Sequence, residues 1–341
     1  MSALAGNDRL TGGPGGDVLS GQGGSDSYLF AVGWGQDRIP SDGEGSGRDS
    51  LDFSTQVSSL LIDLVPSAGD EANAGAANTL NFPSTVVIED VLGGSGSDAI
   101  YGNGANNSLL GNGDDDFLEG RAGNDALNGG DGQDIYSFKE GWGTDTLADA
   151  SGLDTLDLSA LTSPVTVRLI PSANNEALSG ANTLNFPETV VVENARGGAS
   201  GDIIRGNSAN NRLYGNGGDD MIYGSSPVSQ GGTDYMYGGG DDDYMQANSR
   251  GNKTYYGEAG NDEISGNTDP ETVYGGTGND TVNTFGGDDL VDVVDGNTGD
   301  FIDCHIGDND TFKVDRVFTG FRFRVDSHQN CENVQVVTSG F

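Results

Sequence analysis

The chain has 341 residues, 58 of them glycine, and carries 53 acidic against 15 basic side chains, for a formal net charge of −38. Such self-repulsion on a chain only 34% hydrophobic opposes compaction unless something neutralises the carboxylates. Nucleic acid and anionic membrane are therefore poor partners and cations good ones, no apolar run approaches the ~18 residues of a membrane span, and the N-terminus lacks a signal-peptide pattern.

Residues 1–30 begin inside a repeat, as an excised fragment would. The nonapeptide G-G-x-G-x-D-x-U-x, with U apolar, fits GGPGGDVLS and GQGGSDSYL at 12–29. Residues 31–92 interrupt it with a first insert, in which the alternation of TVVIEDV predicts a strand. The nonapeptides then run unbroken through 93–137 as GGSGSDAIY, GNGANNSLL, GNGDDDFLE, GRAGNDALN and GGDGQDIYS. Residues 138–196 are a second insert, which repeats the GWG and ANTLNFP phrases of the first and predicts a strand at VTVRLI. Both inserts are expected to continue as wider, less regular coils. Trp34 and Trp142 hold equivalent places in them, suited to packing beneath the insert or to contact with a ligand. Residues 197–292 resume the nonapeptides with irregularities. Glycine then thins over 293–341, where TFKVDRVFTGFRFRV reads as a hairpin around Thr319 and Gly320, a cap for the open end of a repeat stack.

Each place in the nonapeptide has a physical reason. Glycine at the first, second and fourth places allows the positive φ of a tight turn. The x-U-x tail is a minimal strand that sends only U inward, because side chains alternate across a strand. Two nonapeptides make one coil of 18 residues, so the aspartates of every second repeat stack. Stacked carboxylates with turn carbonyls form a set of hard oxygens, which suits calcium; the plainer alternative is that the aspartates only terminate turns.

This phased array resembles the repeats-in-toxin (RTX) family of secreted proteins, the haemolysin-type calcium-binding nonapeptide repeats. The resemblance implies an all-β fold, a right-handed parallel β-roll or β-solenoid with several Ca²⁺ ions between successive coils. Carried over place by place, the sixth-position ligands would be Asp8, Asp17, Asp26, Asp98, Asn107, Asp116, Asp125, Asp134, Asp202, Asn211, Asp220, Asp234, Asp243, Asp262, Asp280 and Asp289. Asn107 and Asn211 lack a charge, and Glu271 is longer and follows a proline, so those levels should be weaker or empty. Parity then places Asp98, Asp116 and Asp134 on one edge, and Asn107 with Asp125 on the other.

Cys304 and Cys331, the only cysteines, lie in the cap and would suit a disulfide in an oxidising exterior, with two free buried thiols as the alternative. The basic side chains Lys313, Arg316, Arg322 and Arg324 would neutralise an acidic solenoid end or dock a partner. With His305 and His328 the only histidines, H-E-x-x-H is impossible, and no G-x-S-x-G occurs, so no catalytic residue is assigned. Tyr214, Tyr223, Tyr237 and Tyr274 at ninth places, with Tyr235 and Tyr244 at seventh places, face outward. They suit cross-strand packing, sugar stacking or contact with a neighbouring copy.

The sequence therefore reads as a non-catalytic, secreted calcium-binding module at the cell surface or in a matrix, structural or adhesive, that folds on calcium outside the cell. Its partners would be calcium and surface polysaccharide or copies of itself. The alternatives are the C-terminal folding and export module of an extracellular hydrolase, and a solenoid enzyme acting on acidic polysaccharide.

Overall fold

The computed structural model describes every residue except 41–46, 67–70, 76, 149–150, 171–175, 188, 225–231, 249, 296–298, 304–309, 320–321, 326, 330–332 and 339–341. The described residues contain strands and turns and no helix. They divide into two compact units, one dominated by Met1–Leu156 with Ala181–Val191, the other by Asp157–Pro171, Glu176–Gly180 and Val192–Phe341. Cys304 and Cys331, and hence the expected disulfide, lie outside the described residues.

In the regular arrays the strands are the x-U-x tails. Ala99–Tyr101 shows the pattern: Ile100 is buried and its two neighbours half-exposed. Successive coils stack in parallel with like places in register. In the first unit Ile62, Ile100, Leu118 and Tyr136 form one column, and Val91, Leu109, Leu127 and Leu147 the facing one. All eight are buried. The second unit repeats this with Ile204, Ile222, Met245, Ile264, Val282 and Ile302 in one column. Leu213, Met236, Tyr255, Val273, Val291 and Phe312 make the other. The core of each unit is thus a narrow apolar strip between two parallel sheets, which is how a chain so poor in apolar residues can bury one.

The inserts do continue the coils. Ser50–Asp52 bridges Ser27–Leu29 to Asp90–Leu92, and Leu61–Asp63 pairs with Ala99–Tyr101. They also add antiparallel excursions that the repeat logic does not foresee: Leu61–Asp63, Ala72–Asn73 and Thr79–Asn81 form a small meander, and Thr166–Arg168 pairs with Ala177–Ser179. The expected strand at VTVRLI is Thr166–Arg168. In TVVIEDV only the end is paired, from Asp90, although Val86 and Ile88 are buried and Val87 exposed. Alternating burial there follows from packing without a ladder. Trp34 is buried against Phe30 and Phe53, with ring centroids 5.8 and 5.3 Å away, and Trp142 against Phe138 at 5.7 Å. Both tryptophans therefore pack beneath the insert and present no surface to a ligand.

Near the C-terminus Thr311–Thr319 pairs antiparallel with Arg322–Val325, the expected hairpin, and parallel with Asn333–Thr338. Lys313 Nζ meets Asp292 Oδ2 at 2.8 Å, so one of the four basic residues neutralises the acidic sheet beneath it.

Two kinds of glycine emerge. At the second place of three successive nonapeptides the backbone is left-handed with different side chains, with φ of 86° at Asn112, 69° at Arg121 and 110° at Gly130, although Gly94 and Asn103 in the same array have no positive φ. First-place glycines such as Gly111 and Gly129 have no positive φ, contrary to the expectation from sequence. They are required because a Cβ there would overlap the carboxylate of Asp116 or Asp134.

Truncation of the strip should be costly: Leu118→Ala is expected to lose about 2–5 kcal/mol. The outward Ser108→Ala should stay within about 0.5 kcal/mol. Denaturant unfolding at saturating calcium checks this, and equal losses would contradict the inside-outside assignment.

Candidate metal sites

Turns place the sixth-position side chains along the two edges of each stack, and their hydrogen bonds tie each coil to the next. Asp98 N–H donates to Asp116 Oδ1 at 2.7 Å and Asp116 N–H to Asp134 Oδ1 at 2.8 Å, each a step of 18 residues. On the facing edge Asn107 N–H donates to Asp125 Oδ1 at 2.7 Å. The two-nonapeptide coil and its parity are therefore those expected. In the second unit one edge runs Asp202, Asp220, Asp243, Asp262, Asp280 and on to Asp300, joined in the same way at 2.6–3.0 Å. Near the N-terminus Asp8 N–H donates to Asp26 Oδ1, and Asp17 N–H to Asp37 Oδ1, each at 2.9 Å.

The columns extend past the recognised repeats. Asp49, Asp145, Asp154, Asp300 and Asp310 accept the same bond from Asp26, Asp125, Asp134, Asp280 and Asp289, across steps of 20 to 23 residues. With Asp37 they form a set that the glycine signature misses. Each is followed at the second residue by an apolar side chain (DRI, DSL, DTL, DTL, DFI, DTF), so the D-x-U tail alone would have found them.

One carboxylate oxygen makes the inter-coil bond; the other is left over. The Oδ2 atoms of Asp116, Asp125, Asp145, Asp220, Asp243, Asp262 and Asp280 are buried and accept no hydrogen bond. A Cβ on Gly111 would meet Asp116 Oδ2 together with the Gly129 carbonyl of the next coil, and one on Gly215 would meet Asp220 Oδ2 and the Gly238 carbonyl. Similar oxygen-lined cradles recur at Gly238 and Gly257. A buried carboxylate oxygen with no donor is costly, and a cradle made only of oxygens fits a hard cation. Among the described residues no three carboxylate, imidazole or thiol groups converge on one point, so a cation between coils would complete its shell from turn carbonyls and water.

Burial raises these carboxyls, since desolvation disfavours the charged form. Asp116 and Asp220 are pushed up to about 8, Asp243 and Asp262 to about 7. Asp98 reaches only about 6. Its two oxygens accept the N–H groups of Leu60 and Gly94 at 2.8 and 2.7 Å, which favour the anion.

The asparagines behave differently. Asn211 Nδ2 donates to the Glu193 carbonyl at 2.8 Å and Asn207 Oδ1 at 3.0 Å, and Asn107 Nδ2 to Glu89 O at 3.1 Å. The amide hydrogens thus tie each asparagine to a main-chain carbonyl of the coil before it, a bond that a carboxylate could not donate. Asp234 and Asp289 stand on the same edge as Asn211 and take the inter-coil bonds from Asn211 and Glu271 at 3.0 and 2.9 Å.

A family model described as the RTX calcium-binding nonapeptide repeat (4 copies) matches residues 1–30, 196–226, 229–249, 250–269 and 265–300. Those segments are RTX calcium-binding nonapeptide repeats, and they occur in both units. A second model, Peptidase M10 serralysin C terminal, matches residues 39–163. Neither model is that of a protease catalytic domain. No curated protein matches the chain.

The outward tyrosines form a ladder in the second unit. Tyr214, Tyr237, Tyr256 and Tyr274 stack at 4.5, 4.7 and 5.0 Å with planes within 10° of parallel. Tyr256 had no place in the repeat reading, because the coil it belongs to, ANSRGNKTYY, has no glycine head. Inner ring faces are covered by neighbouring rings, and Arg196 lies over Tyr214 at 5.6 Å. The ladder is cross-strand packing; its inner rings have no free face for a sugar.

A pH dependence follows from the raised carboxyls. Asp116 moves from 3.8 to about 8 on folding, so the metal-free fold holds protons that the unfolded chain has released at neutral pH. Its stability should be fullest below about pH 4 and fall as pH climbs through about 8. In excess chelator, circular dichroism should show strand content rising on acidification from pH 8 towards 4.5. A loss of strand over that range would refute the assignment.

Proposed function

We propose that this RTX chain is a non-catalytic module of a secreted protein that stays open where calcium is scarce and closes into its stacked coils outside the cell, serving a structural or adhesive role at a cell surface or in a matrix. The observation that carries the reading is the column of buried aspartates whose second oxygen faces an oxygen-only cradle. Asp116 and Asp134 in the first unit, and Asp220, Asp243, Asp262 and Asp280 in the second, are the residues that would hold calcium in this way, with Asp26, Asp125 and Asp289 on the facing edges; Asp98 and Asp202, whose two oxygens already accept backbone N–H groups, would hold it more weakly. Asp8 and Asp17 would do so at the N-terminal coils. Bound calcium supplies positive charge where desolvated carboxylates otherwise repel one another.

The chain's own residues do the rest. Each Oδ1 holds the next coil through a backbone N–H, each first-place glycine leaves room for the carboxylate, and the apolar strip excludes water from the inner face. The match of residues 39–163 to a serralysin C-terminal model supports a second reading, in which the module serves the folding and export of an extracellular hydrolase. The RTX signature supports secretion in either case.

Calcium titration followed by circular dichroism tests the proposal. Strand structure at neutral pH should appear with calcium at roughly 10⁻⁴ to 10⁻³ M, while magnesium, which needs shorter and stricter octahedral contacts, should substitute poorly. A strand spectrum that persists in excess chelator at neutral pH would sink the reading. Asp116→Ala removes a ligand from the steps above and below it and should lose about two calcium ions, whereas Asn107→Ala, whose amide is already spent on hydrogen bonds, should lose none or one. Equal effects on stoichiometry would contradict the parity of the roll.

A further inference from the structure

One level of the second unit carries a cation of its own. Asp234, Lys253 and Glu271 are direct partners across three adjacent strands, so Lys253 occupies the sixth place of its coil, in the column that also holds Asn211, Asp289 and Asp310. Its side chain is 0% exposed, as is that of Asp234. Nζ lies 3.1 Å from Asp234 Oδ2 and donates to the carbonyls of Gly232 at 2.6 Å and Arg250 at 3.2 Å. An ammonium has three hydrogens, and here three oxygens receive them: one carboxylate and a turn carbonyl from each of two successive coils.

The position of that ammonium is telling. On the all-aspartate edge, the cradle at Gly215 is closed by Asp220 Oδ2 and the Gly238 carbonyl. At Gly224 the corresponding neighbours are Asp234 Oδ2 at 2.8 Å and the Ala247 carbonyl at 3.2 Å, and the third is Lys253 Cε at 3.5 Å. The lysine therefore enters from the next coil and fills the cradle that a metal ion would take. The cradle at Gly224 does not fit calcium: a fixed positive charge already stands beside the Asp234 carboxylate oxygen that lines it.

We propose that the Lys253 ammonium is a built-in counter-ion that replaces calcium between the coils of Asp234 and Lys253, so that this step of the roll is closed without metal. The inference rests on the reading of the aspartate cradles as calcium sites. On the same edge Asn211 also brings side-chain donors, its amide reaching the Glu193 carbonyl at 2.8 Å and Asn207 Oδ1 at 3.0 Å. This step of one edge then coheres through a protein donor alone, while the facing edge, with Asp243 and Asp262 at the same level, stays dependent on calcium.

Calcium bound at saturation is counted by equilibrium dialysis for the full chain, Lys253→Asp and Lys253→Met. The aspartate variant should bind about one ion more than the parent, because the cradle regains a carboxylate and loses its resident charge. The methionine variant should bind no extra ion, and its calcium midpoint for folding should rise several-fold, because Asp234 is left buried without its partner. An unchanged count in Lys253→Asp, or an unchanged midpoint in Lys253→Met, overturns the proposal while leaving the calcium reading intact. A parent chain that binds no calcium overturns both. A labelling experiment needs no variant to fold: Lys139, Lys253 and Lys313 are the only lysines, and the other two are 57% and 39% exposed. Acetylation at saturating calcium should mark Lys139 and Lys313 and spare Lys253; modification of all three at similar rates overturns the proposal.

Discussion

The structure hangs on one repeated hydrogen bond, from the backbone N–H of a sixth-position residue to the carboxylate Oδ1 of its counterpart one coil on, as between Asp98 and Asp116. This bond fixes the register in which the apolar places of neighbouring coils meet, so Ile100 stands on Leu118 and Leu118 on Tyr136. It also draws each carboxylate out of water and leaves Oδ2 facing inward, as at Asp116 and Asp220. The device that aligns the coils is therefore what makes them need a cation. With a formal net charge of −38, the chain cannot ignore that need.

Three solutions to the same electrostatic problem occur along the edges. Backbone N–H groups serve Asp98, whose carboxyl is correspondingly the less raised. Side-chain donors serve the levels of Asn107, Asn211 and Lys253. The remaining aspartate cradles offer only oxygens, and calcium is the ion those oxygens suit. The edges are consequently unequal, and on the proposed reading calcium would act mainly on the one that is aspartate at every level.

The arrays, the two-nonapeptide coil and the division of Asp116 from Asn107 were legible in the sequence because glycine, aspartate and the apolar residue keep strict phase there. Asp37, Asp49, Asp145, Asp154, Asp300 and Asp310 were not, because their turns are built without glycine heads and only the D-x-U tail survives. Lys253 and Tyr256 escaped for the same reason. Gly111 was legible as a glycine but for the wrong cause: the sequence suggests a left-handed turn, and the structure shows a carboxylate against its Cα. The tyrosine ladder could be foreseen as outward-facing, but that its ring faces are turned on one another depends on the parallel register of Tyr214 with Tyr237.

The most direct measurement of the central claim is the location of the ions themselves, by anomalous diffraction from crystals of the calcium-loaded chain. The account predicts anomalous peaks between successive coils beside Asp116 and along the edge from Asp220 to Asp280, with no peak at the cradle of Gly224, Asp234 and Lys253. Peaks confined to the outer surface, or a peak at Lys253 equal to those on the aspartate edge, would contradict it.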